Sequence, residues 1–207
     1  MTSDDCGRKE RTAGIDDSMQ PERAAPRPWA DYSPIFKRLW PRLQALAGDV
    51  AEFGVYQGGT TLQLAGLTGR RVWAFDTFRG TPAMEYSPGL DQDEPGKFNP
   101  GPGAVARLLA ASPLIVPVAG RFVYTLLQVP HAVRLVLVYL DCDLYQSMRR
   151  VLEWLPTHLV GGAAIVVDDY TTHPGVRKAV DKFMANWPRQ ARFDPEARWP
   201  GEVILWT

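Results

Sequence analysis

Short, nearly continuous apolar runs alternate along this chain with stretches whose apolar residues recur every three or four positions. The runs occupy 50–55, 72–75, 114–118, 135–140 and 163–167. A strand covered by helices on both faces has no polar side, and its sequence reads this way. Leu144, Met148, Val151, Leu152, Leu155 and Leu159 mark an amphipathic helix between the last two runs, and Gly161 and Gly162 are expected to close it. Val176, Val180, Phe183, Met184 and Trp187 mark another helix, with Pro174 near its start. Ahead of the first run, Ser33 and Pro34 form an N-cap and first-turn pair. Ile35, Phe36, Leu39, Trp40, Leu43 and Leu46 then follow at helical spacing, with a kink expected at Pro41 and a stop at Gly48. Strand–helix alternation of this kind predicts an α/β domain with a doubly wound, mostly parallel sheet. The last apolar stretch, 202–206, reads as a further strand, able to form a C-terminal antiparallel hairpin with 191–194.

Two regions break the alternation. Residues 1–28 contain no Val, Leu, Phe, Tyr or Trp. Such a segment buries too little to offset its ordering entropy, so it is expected to be a disordered tail ahead of one domain over 29–207. Residues 77–103 hold five prolines and five glycines with no apolar period. A loop of that length inside a compact domain is usually functional, and it is read as a lid over the site.

The 207 residues suit one domain with a full core. Basic and acidic residues number 23 each, so no broad positive field points to nucleic acid. No apolar stretch approaches a membrane span and the N-terminus lacks a signal-peptide core. The two cysteines, Cys6 and Cys142, make no disulfide framework. A cytoplasmic protein is the expectation.

Candidate chemistry sits where the apolar runs end. The first run passes into Gly54-Val55-Tyr56-Gln57-Gly58-Gly59, a glycine turn leading to a helix. Ligands of doubly wound sheets bind at such strand ends. The spacing is not the dinucleotide G-x-G-x-x-G, which disfavours a pyrophosphate ligand and a nicotinamide oxidoreductase. Asp76 ends the second run, 22 residues beyond Gly54, where an acidic residue grips ribose hydroxyls. A ribose grip without a pyrophosphate loop suggests a nucleoside ligand, of which S-adenosylmethionine is the common one. Glu52 is a carboxylate inside an apolar strand. It requires a partner, either an internal cation or, as favoured here, the ammonium of the cofactor's methionine part.

The 135–140 run ends in Asp141-Cys142-Asp143, and the 163–167 run ends in Asp168-Asp169-Tyr170. Consecutive strands joined by one crossover helix are neighbours, so both acidic pairs share one sheet edge. Four converging carboxylates call for a cation, and hard oxygen ligands select Mg²⁺, Mn²⁺ or Ca²⁺ over zinc. A cation beside a hydroxyl lowers its pKa, and a free carboxylate can take the proton.

Together these motifs resemble the macrocin O-methyltransferase (TylF-type) family, which methylates sugar hydroxyls on antibiotics. The matching stretches are EFGVYQGGT (52–60), AFDTFRGTP (74–82), DCDLYQSM (141–148), GGAAIVVDDY (161–170) and GVRKAVDKF (175–183). The resemblance implies a class I methyltransferase, Rossmann-like fold. It implies Mg²⁺ held by Asp141, Asp168 and Asp169, with Asp143 as general base and Asp141 sharing in catalysis. It implies cofactor contacts from Glu52, Phe53, Gly54, Gly58 and Thr60, from Asp76, Thr77 and Phe78, and from Gly120 after the third strand. Tyr145, Tyr170 and His173 flank the acidic motifs as candidate substrate contacts, His173 being the alternative base. The sequence departs from the family at Cys142, where glycine is usual, and at Leu127, where proline is usual. The expectation is a S-adenosylmethionine- and Mg²⁺-dependent O-methyltransferase of a small hydroxylated acceptor, a sugar or glycosylated natural product, acting as a homo-oligomer. A catechol-type enzyme and a non-catalytic paralogue are the rivals.

Overall fold

A computed structural model describes residues 33–187, 192–194 and 203–207. Seven strands form one sheet in the order β3-β2-β1-β4-β5-β7-β6. The parallel strands are β1 (Asp49–Phe53), β2 (Val72–Asp76), β3 (Ile115–Ala119), β4 (Leu135–Leu140) and β5 (Leu159–Val167). β6 (Arg192–Phe193) and β7 (Val203–Trp206) add the expected antiparallel end. The expected tail at 1–28 lies outside the described residues.

Each sheet face is covered. One core joins Phe53, Leu140 and Val167 to α5 (Tyr145–Trp154) and α6 (Pro174–Asn186). The other joins Val50, Tyr139 and Val166 to α1 (Ser33–Leu43), α2 (Gly59–Thr68) and α3 (Ala104–Ala111). Burial on both faces explains the unbroken apolar runs, each fully buried large side chain contributing about 1.5–3 kcal/mol. A short α4 (Phe122–Thr125) follows β3.

The end of α5 differs from the reading of the sequence. The helix stops at Trp154 and tightens into a 3₁₀ turn over Leu155–Thr157, and Leu159, Gly161 and Gly162 belong to β5. Pro156 supplies the reason, since it has no N–H with which to continue the helix. The glycines therefore stand within the sheet, where the Gly162 amide donates to the Thr207 carbonyl at 2.7 Å.

The topology fixes the site. Strand order reverses between β1 and β4, and the ladder pairs Phe53 with Leu140 and Leu140 with Val167. Gly54, Asp141 and Asp168, each one residue farther on, therefore stand level. The Asp141 amide donates to the Phe53 carbonyl and the Asp168 amide to the Leu140 carbonyl, both at 2.8 Å. Gly54 is required here. Its φ is +89°, and a Cβ would fall 1.8 Å from the Asp141 carbonyl oxygen.

Candidate active site

A cleft of about 370 Å³ opens at these carboxyl ends. Of the residues expected from the sequence, Gly54, Asp76, Thr77, Asp141, Asp143, Asp168 and Asp169 line it together. Among the described residues, five that are not glycine adopt a positive φ, and four of them, Tyr56, Phe98, Asp143 and Asp169, line this cleft. Left-handed backbone costs an L-residue roughly 1–2 kcal/mol. Its concentration here marks geometry held by the surrounding fold.

At the end of β2, Asp76 is already engaged. Its Oδ2 accepts the Val55 and Tyr56 amides at 2.7 and 2.8 Å, and its Oδ1 accepts the Phe78 amide at 2.7 Å. The Thr77 hydroxyl also lies 3.3 Å from Oδ1 but donates more closely, at 2.7 Å, to the Gly80 carbonyl, so of about four acceptor sites the one beside Thr77 is left for a ligand hydroxyl. The Asp76 carboxylate thus organises the glycine turn and fits a ribose grip as well.

At the ends of β4 and β5 the carboxylates crowd. Ligand oxygens of Asp141, Asp143 and Asp169 lie within 4.8 Å of one another. Two full charges at that separation repel by about 3–4 kcal/mol at an effective dielectric near 20. Burial, then the charges of Asp143, Asp168 and Asp169, push the Asp141 carboxyl well above the usual range. Burial, then Asp93, Asp169 and Asp168, do the same to Asp143. Asp168 lines the cleft beside them, with its Oδ2 accepting the Tyr139 hydroxyl at 2.9 Å and its Oδ1 the Asp169 amide at 2.8 Å. Asp143 thus joins Asp141 and Asp169 in the group whose ligand oxygens lie within 4.8 Å of one another, and Asp168 lines the same cleft. Burial and the neighbouring acids raise the Cys142 thiol as well, so it stays protonated. The donor set is all oxygen and rich in negative charge, which fits a hard divalent cation.

Several expected contacts lie elsewhere. Glu52 is 1% exposed and accepts the Thr61 hydroxyl. Burial, the leading cause, raises its carboxyl to about 8. No cation among the described residues pairs with it, and it does not line the cleft. Phe53 stacks on Phe75 at 4.5 Å and meets Phe122 edge-on at 5.6 Å, which keeps its ring in the core. Gly58 opens α2, Thr60 lies one residue inside that helix, and Phe78 packs into the core, none of them lining the cleft. Gly120 adjoins the cleft through Arg121. Tyr145 is buried against α6 and receives Lys182 Nζ on its hydroxyl at 3.0 Å. The Tyr170 hydroxyl donates to Asp181 at 2.7 Å. The ring of His173 sits between Asp93 and Asp169. None of these three lines the cleft, because α6 and the 77–103 segment claim their polar atoms.

The structure also brings in residues that the sequence did not single out. Glu85 lines the cleft, accepting Arg121 Nε at 3.1 Å and the Ser147 hydroxyl at 2.6 Å. These three are 36 and 62 positions apart in the chain, so no local signal joins them. Tyr56 and Phe98 meet edge-on at 5.9 Å on the rim. The 77–103 segment walls one side of the cleft, with Glu85, Asp91 and Asp93 all buried.

A family model of macrocin-O-methyltransferase (TylF) matches residues 42–100 and 113–191. A curated relative is the 8-demethyl-8-(2,3-dimethoxy-alpha-L-rhamnosyl)-tetracenomycin-C 4'-O-methyltransferase of Streptomyces olivaceus. It is 30% identical over 181 residues, covering 77% of this chain and 65% of the relative. Similar solved structures include CalS11, a calicheamicin methyltransferase, with a TM-score of 0.72 and 24% identity over 84% of this chain and 77% of that one. The O-methyltransferase NovP has a TM-score of 0.72 and 23% identity over 84% and 78%. An O-methyltransferase from Bacillus cereus, solved in complex with SAH, has a TM-score of 0.56 and 18% identity over 88% and 83%. At these identities the solved structures establish a shared class I Rossmann-like fold.

Proposed function

The chain belongs to the macrocin-O-methyltransferase (TylF) family, and from that premise we propose that it transfers a methyl group from S-adenosylmethionine to a hydroxyl of a sugar on a glycosylated natural product. The observation that carries the reading is the single cleft holding Asp76 at one end and four carboxylates at the other. The tetracenomycin relative, which acts on a rhamnosyl group, supports a deoxysugar acceptor.

Asp76 grips the cofactor's ribose with the acceptor site that the Val55, Tyr56 and Phe78 amides leave over. Gly54, whose lack of a side chain lets the Asp141 backbone stand close, lines the cleft at the β1–β4 switch point where the methionine part would lie. The bound sulfonium supplies an electrophilic methyl, so the protein forms no covalent bond to it. Asp141, Asp168 and Asp169 would hold Mg²⁺, which would lower the acceptor hydroxyl's pKa and neutralise the acidic cluster. Asp143 would take the hydroxyl proton on a carboxylate that burial, and then its acidic neighbours, make more basic than usual. Tyr56 and Phe98 shelter the reacting atoms at the rim.

The test has two stages. Calorimetry with S-adenosylmethionine and S-adenosylhomocysteine should show micromolar binding of both. Methyl transfer to rhamnosylated polyketide acceptors should then require Mg²⁺ and stop with chelator. Absence of cofactor binding would remove the methyltransferase reading, and full turnover in chelator would remove the metal.

A further inference from the structure

The middle of the 77–103 segment is stitched to the turn that follows β5. The Gly175 amide donates to the Leu90 carbonyl at 3.1 Å, and Gln92 Nε2 donates to the Thr172 carbonyl at 2.8 Å. Gly175 permits this approach, since a Cβ there would stand 2.6 Å from Asp91 Oδ1 and 3.1 Å from the Leu90 carbonyl oxygen. Asp91 in turn accepts the Tyr145 amide at 2.7 Å and the Ser87 amide at 2.6 Å, fastening the segment to the start of α5.

His173 stands between this segment and the acidic cluster. Its Nε2 is 3.1 Å from Asp93 Oδ2, and its Nδ1 is 3.0 Å from the Thr172 hydroxyl, through which it reaches Asp169, whose Oδ1 lies 3.2 Å from the ring. Asp93 is 4% exposed, with its other oxygen held by Lys97 Nζ. The Thr172 hydroxyl also donates to Asp169 Oδ1, at 2.6 Å. The turn's side-chain contacts to Asp169 thus converge on one oxygen, and the residue is held at a φ of +59°.

We infer that His173 is a positioning residue that ties the cation ligand Asp169 to Asp93, so that cation binding and docking of the 90–93 stretch reinforce each other. The inference rests on the reading of Asp141, Asp168 and Asp169 as the cation site. A ligand carboxylate whose first oxygen is fixed by hydrogen bonds offers its second in one orientation, and loss of such an outer partner typically weakens metal binding ten- to hundredfold. Coupling of two equilibria is reciprocal, so a cation that fixes Asp169 must also firm the docking of Asp93. His173 does not line the cleft, and its action passes through Asp169.

The experiment is titration of the full chain with Mn²⁺, reading free ion by electron paramagnetic resonance, for wild type, His173→Ala, Asp93→Ala and the double variant. Each single variant is expected to weaken Mn²⁺ by about ten- to hundredfold. The double should be within about twofold of His173→Ala, because both act through one chain of contacts. Gly175→Ala, which alters no charge, should weaken Mn²⁺ by pushing 90–93 away, and it carries the test if His173→Ala fails to fold. Amide exchange across 88–99 should slow on adding Mn²⁺ to wild type and not to His173→Ala. Wild-type affinity in His173→Ala, or single losses that multiply in the double variant, would overturn the inference while leaving the cation site standing. A wild type that does not take up Mn²⁺ would overturn the cation site and the inference with it.

Discussion

At the end of β2 one carboxylate, Asp76, accepts three backbone amides within 2.8 Å. At the ends of β4 and β5 four carboxylates share one cleft, and burial with mutual repulsion raises Asp141 and Asp143 far above their ordinary range. Both regions occupy the same row of strand ends, and both place an acid directly after an apolar run. The first is complete without a ligand, because the protein's own N–H groups solvate the charge. The second is frustrated without one, because burial and like charge dominate there while the nearby cations Arg121 and Lys97 are paired with Glu85 and Asp93. The address on the sheet is therefore common to both, and the supply of donors decides whether an acidic strand end is a preformed grip or a cation trap.

The largest effect that would break this contrast comes from Asp141→Asn. Turnover is expected to fall by about a thousandfold, the several kcal/mol that a bound cation contributes to a transition state. The metal-free protein should melt a few degrees higher than wild type, since one member of a repelling group is gone. Uptake of cation by the wild type should also release protons and tighten as pH rises, because raised carboxyls must ionise to become ligands. Calorimetry in buffers of different ionisation enthalpy reads that release. A metal-free Asp141→Asn protein less stable than wild type would mean that the cluster is not frustrated.

Asp76→Ala is expected to act in the opposite direction on the free protein. It strands the Val55, Tyr56 and Phe78 amides, costing on the order of 1–3 kcal/mol in denaturant titrations. It also removes a charged hydrogen bond to the ribose, worth about 1.5–3 kcal/mol, so S-adenosylhomocysteine should bind about ten- to hundredfold more weakly. Stability equal to wild type would show that the glycine turn holds without Asp76.

The sequence made this contrast half visible. An apolar run ending in acid is a local pattern, so Asp76, Asp141, Asp143, Asp168 and Asp169 could be read directly, and the consecutive strands implied their meeting. Which acid would find donors depended on the turn at 54–58 folding back over β2, a contact between segments some twenty residues apart. Tyr145 and Tyr170 stand within the right motifs and His173 just beyond one, yet Lys182 and Asp181 claim the two hydroxyls and the His173 ring lies behind Asp169, against Asp93. Glu85 carried no signal, lying in a proline- and glycine-rich stretch without period. The misread end of α5 was recoverable, since Pro156 stands where the helix stops and outweighs the glycines beyond it.

Glu52 offers the smallest and most selective test, because it lies at the cofactor end but resembles the acids of the other. It sits one residue before the end of β1, with the Thr61 hydroxyl on its carboxyl, and burial raises it from 4.5 to about 8. The sign follows from proton counting. Below about pH 4.5 the group is protonated in both folded and unfolded chains, and its contribution is fully present. Between 4.5 and about 8 the unfolded chain ionises while the native one keeps its proton, so stability falls as pH rises and the loss is complete once pH passes the folded value. Glu52→Gln keeps the shape without the titration. Its stability relative to wild type should climb by about 1.4 kcal/mol from pH 6 to pH 7 in paired denaturant titrations. A flat difference would mean that Glu52 is ionised in the folded protein, and a buried cation would then have to be sought at the cofactor end as well.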